Sequence, residues 1–77
     1  MQQARAPRSV FEDILGLLQK RKVDEAIARA RQELSRYPDD VNILGLLGAA
    51  LGDQKRFQEA EEILLRVIDL TPTFAKP

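Results

Sequence analysis

From Val10 onward, apolar residues recur at helical intervals, and short polar corners interrupt them. Val10, Ile14 and Leu17 make one stripe, and Phe11, Leu15 and Leu18 make a second beside it. An apolar arc this wide demands cover on two sides. Ser9 and Glu12 have the spacing of a capping box, which predicts a first helix from there to about Lys20. Lys20-Arg21-Lys22 makes a corner, and Asp24 is the expected cap of a second helix that turns Val23, Ala26, Ile27, Ala30 and Leu34 inward. Pro38 stops that helix by disfavouring helical geometry at Tyr37. Asp39 or Asp40 then caps a third helix, Val41 to Asp53. After a corner at Gln54 to Arg56 comes a fourth, Phe57 to Leu70, with Phe57, Ala60, Leu64, Val67 and Ile68 inward and Pro72 as its stop. The expected fold is all-α, four antiparallel helices behind a disordered lead-in at 1–7.

The pattern repeats. Shifting by 34 residues carries Val10 onto Leu44, Leu17 onto Leu51, Ala26 onto Ala60 and Pro38 onto Pro72. Leu44, Leu47-Gly48, Leu51, Ala60, Leu64 and Pro72 stand in an order and spacing that resemble the tetratricopeptide repeat, a family with this period. The first copy is weaker: Asp13-Ile14 replaces the Leu-Gly pair and Ala30 stands in place of Leu64. The resemblance implies two tandem helix-turn-helix units, 8–38 and 39–74, opening a right-handed α-solenoid, with 75–77 as the start of a further repeat or a tail. The family usually places glycine at the corner within each pair, where this chain has Arg21 and Lys55. Short Ala26, Ala60 and Gly48 let the paired helices approach closely.

Composition narrows the function. In 77 residues there is neither cysteine nor histidine, so the usual nitrogen and sulfur metal ligands and the commonest general base are missing. No disulfide framework exists. The net charge is zero, yet residues 1–38 carry eight basic and five acidic side chains and residues 39–77 four basic and seven acidic. Opposite signs on neighbouring repeats favour stacking or head-to-tail contact; the plainer reading is two solvated faces. Lys20-Arg21-Lys22 with Arg29 and Arg31 has no interleaved aromatics, which argues against nucleic acid. Gly45, Gly48 and Gly52 follow no strand and precede no Gly-Lys-Ser/Thr ending, so they read as packing or groove positions and not as a phosphate loop. Val41 to Leu51 is far shorter than the roughly 20 residues a bilayer span needs. Glu59, Glu61 and Glu62 read as a solvated face. No cofactor, metal, membrane or catalytic role is expected, and the lead-in lacks the apolar core of a secretory signal, leaving the cytoplasm as the expected location.

In the resembled family, the first helices of successive repeats line a concave groove that holds a protein or peptide partner. Carried onto this chain, those positions are Arg8, Phe11, Leu15, Leu18 and Gln19 from the first repeat, and Asn42, Gly45, Ala49, Gly52 and Asp53 from the second. Two readings stand: a partner's apolar side chains rest on Phe11 and Leu15, or Phe11, Leu15 and Leu18 simply fill space against the third helix. The lysine and asparagine clamp of members that hold acidic chaperone tails is missing, since Phe11, Leu15, Gly45 and Ala49 occupy its places. Ile43, Leu46, Ala50, Ile63 and Leu70 are expected to lack a neighbour, so a longer array or a homodimer is the expected way of covering them. PDDVNILGLLGA and DLTPTFAKP are also similar to the repeat region ahead of the catalytic domain in bacterial tetratricopeptide-containing sulfotransferases, which implies a non-catalytic N-terminal segment as the alternative role.

Overall fold

The computed structural model describes residues 6–71, which form α1 (Arg8–Gln19), α2 (Val23–Leu34), α3 (Val41–Asp53) and α4 (Phe57–Leu70). The most apolar helix occupies the centre. α3 buries Ile43, Leu44, Leu47, Gly48, Ala50 and Leu51, and it packs against each of the other three helices. α2 lies against both α1 and α3, and the backbone of α4 rests on α3 alone. The core joins Val10 and Ile14 of α1, Ala26, Ile27 and Ala30 of α2, the α3 set and Ala60 of α4. Small residues at the crossings set the spacing. A methyl group on Gly48 would stand 3.0 Å from Leu64 Cδ2, so that glycine is what lets α4 approach α3.

Both intra-repeat corners solve the same problem alike. The amide of Lys22 donates to the Leu17 carbonyl at 2.8 Å and that of Arg21 to Leu18 at 3.0 Å. Arg56 donates to Leu51 at 2.9 Å and Lys55 to Gly52 at 3.0 Å. These are paired Schellman closures, whose penultimate residue takes left-handed geometry. Arg21 and Lys55 sit at φ 66° and 62°, where glycine is the usual occupant.

Three local expectations are corrected. Pro7, not Ser9, is the N-cap of α1, and no side chain caps that end; Ser9 lies within the first turn because Pro7 already presets the backbone for entry. Asp24 does not cap α2. The corner runs straight into the helix at Lys22, and the Asp24 carboxylate accepts from Gln54 Nε2 at 3.0 Å. Phe57 and Ile68 face outward and are exposed, together with Leu65, and Leu64 is half exposed although its end rests on Gly48 of α3. Their equivalents one period back, Val23, Ala30 and Leu34, are covered because α3 packs on α2; no described element packs that way on α4. Conversely, Ile43 and Ala50 are fully buried, and Leu46 and Ile63 pack against the core. Pro72 and the 75–77 tail fall outside the described residues.

Candidate partner-binding groove

The groove is built from one side of α1 and one side of α3. Arg8, Phe11, Leu15, Leu18 and Gln19 recur at helical spacing along α1, and Asn42, Gly45, Ala49, Gly52 and Asp53 along α3. Asp40 anchors the two helices at one end. Its Oδ1 accepts from the amides of Asn42 at 2.9 Å and Ile43 at 3.2 Å, capping α3. Its Oδ2 accepts from the Ala6 amide at 2.7 Å, tying the entry to α1 onto the same carboxylate. The side chain is buried, 3% exposed, and fully engaged.

Two depressions open along this face. One, of about 400 Å³, is lined by Ala6, Arg8, Phe11, Asp40 and Asn42. The other, of about 270 Å³, is lined by Leu18, Arg21, Val23, Ala49 and Asp53. The structure thus brings together Arg8, Phe11 and Asn42 at the end near Asp40, and Leu18, Ala49 and Asp53 at the other. Leu15, Gly45 and Gly52 are half-buried, and Gln19 is exposed. Leu18 also packs against the core, so the space-filling reading holds for that residue. Phe11 is half-buried and lines the first depression.

Gly45 and Gly52 share the side of α3 that carries Asn42, Ala49 and Asp53. A Cβ at either position would meet nothing within 4 Å. Neither has positive φ. Each glycine inside a helix costs roughly 0.5–1 kcal/mol relative to alanine, and packing in the described chain repays neither. Charge is sparse and mixed along the face: Arg8 pairs with Glu12 at 3.4 Å at one end, and Arg21 and Asp53 flank the other.

Ala6, Asp40, Arg21 and Val23 line the depressions without standing among the sequence-derived positions. Asp40 announces itself as a helix cap, but its second bond to Ala6 spans 34 residues and leaves no local signal. Among the described residues there is no cluster of three or more metal-ligating side chains, and no helix is long and apolar enough to cross a membrane.

Two stacked helical hairpins with matched corners and a face shared by their first helices define a helical-repeat protein. Residues 17–75 match the family model described as Tetratricopeptide repeat, and the chain belongs to that family, whose members generally mediate protein–protein interaction. The match does not extend to a sulfotransferase. No curated protein and no solved structure gives a significant match.

Proposed function

We propose that the chain is a protein-interaction module, without catalysis of its own, that takes a segment of a partner along the α1/α3 groove. The observation that carries this reading is the pair Gly45 and Gly52. Both weaken a helix whose packing does not require them, and both stand on the same side of α3 as Asn42, Ala49 and Asp53, which line the two depressions, with open space where a side chain would be. Such positions let a partner's backbone approach closely, while Phe11 and Leu15 offer apolar contact beside them. The alternative of a non-catalytic segment of a larger enzyme, such as a bacterial sulfotransferase, rests on the two similar stretches alone and leaves the role of the groove unchanged.

The test is to select binders from a random peptide library and map one by amide chemical shifts. The expected result is that perturbations concentrate on Phe11, Gly45, Ala49 and Gly52. Perturbations confined to α2 and α4, or no enriched peptide, would contradict the assignment.

A further inference from the structure

The two oxygens of Asp40 are engaged by different parts of the chain. Oδ1 accepts the amides of Asn42 and Ile43, which is all that capping α3 requires. Oδ2 accepts at 2.7 Å from the amide of Ala6, in the entry to α1. Ala6 and Asp40 meet on the wall of the larger groove depression, which Arg8, Phe11 and Asn42 also line.

The entry segment lies there as a bound peptide would. Pro7 is extended, at φ −59° and ψ 152°, close to polyproline geometry. The Ala6 side chain is half-buried and packs against the core. An extended backbone thus gives one N–H to a buried carboxylate and one small apolar side chain to the surface beneath it. Backbone bonds and side-chain pockets are also what hold an extended segment of another protein.

We propose that Ala6 and Pro7 form a strap that fills the Asp40 end of the groove, and that a partner segment binds by displacing Ala6 and giving a backbone amide of its own to Asp40 Oδ2; this rests on the α1/α3 groove being the partner site and adds its regulation. Among the described residues, no other hydrogen bond joins Ala6 or Pro7 to the second repeat, so release breaks one bond. Opening without a replacement leaves a buried acceptor unsatisfied, whereas exchanging one amide for another conserves the bond. The strap is therefore closed in the free chain and yields to a segment that brings its own N–H. Phe11 and Asn42 line the same depression and continue the surface for a longer segment toward Gly45.

Ala6→Pro tests this, because it removes the donor and keeps a small side chain on an extended backbone. It leaves Oδ2 without its partner and so favours the open strap. Peptides are selected from a random library on the parent chain and on the Ala6→Pro chain and titrated against both, with helicity followed by circular dichroism. The expected result is tighter binding to Ala6→Pro, by about tenfold if the parent strap is open about one-tenth of the time. In the parent chain, the Ala6 amide is expected to be protected from exchange and to lose that protection when peptide saturates the groove. If Ala6→Pro loses helicity, this exchange measurement on the parent decides alone. Equal affinity for both chains, or an Ala6 amide still protected in the bound parent, would overturn the strap; shifts at Gly45 and Ala49 in the same complex would leave the groove standing. Weaker binding to Ala6→Pro would make Ala6 a fixed wall of the site and overturn the strap as well. No binder on either chain would overturn both strap and groove.

Discussion

Asp40 concentrates three backbone bonds on one buried carboxylate, and the two oxygens do different work. Oδ1 satisfies two orphan amides at the start of α3, and Oδ2 holds Ala6 against the neighbouring repeat. Asp40→Asn keeps one acceptor oxygen for the cap. It sets an NH2 group against the Ala6 amide, leaving two donors facing each other. The expected loss is about 1–3 kcal/mol, the cost of unsatisfied buried polar groups, read as a lower urea midpoint. An unchanged midpoint would mean that the bond to Ala6 contributes nothing. That Asp40 or Asp39 caps α3 was legible from position alone. The tie across to Ala6 was not, because a hydrogen bond between repeats follows from how they stack.

At the scale of the helix, α4 is held least. Its backbone meets α3 only, and two exposed ion pairs bridge it to the rest: Arg31 with Glu59 at 3.0 Å and Arg66 with Asp39 at 2.7 Å. Exposed pairs of this kind contribute little and are screened by salt. Hydrogen bonds from Arg56, with the charges of Arg56 and Arg31 and a bond from Arg31, hold the Glu59 carboxyl below its ordinary range. A lowered folded-state value means that its contribution is present above the unfolded value and is lost as pH falls through the folded one. Amide exchange should therefore show α4 opening at lower free energy than α3, the gap widening as Glu59 protonates. Equal protection in the two helices would contradict this ordering. The helix ends themselves were legible: α3 and α4 begin and end where the apolar spacing and corners place them. Which face of α4 is covered was not. Matching Phe57, Leu64 and Ile68 to Val23, Ala30 and Leu34 of α2 assumes a helix packed on α4 as α3 packs on α2, and no described element does so.

For the molecule as a whole, the two depressions of the candidate groove over α1 and α3 and the exposed apolar side chains of α4 lie on different helices. The opposite charges of the two halves meet directly in the Arg31–Glu59 pair, with both side chains about half exposed, so they steady the stack without occupying its core. The groove was legible only through the family pattern, since Gly45 and Gly52 read equally as packing or groove residues until the space above them is seen. That space makes the central claim directly measurable. Titration of a selected peptide against the Gly45→Ala/Gly52→Ala variant separates stability from binding. The predicted result is a chain more stable by about 1–2 kcal/mol, from removing two helical glycines, that binds the peptide several-fold more weakly. A variant that gains that stability and binds the peptide as well as the parent would contradict the account.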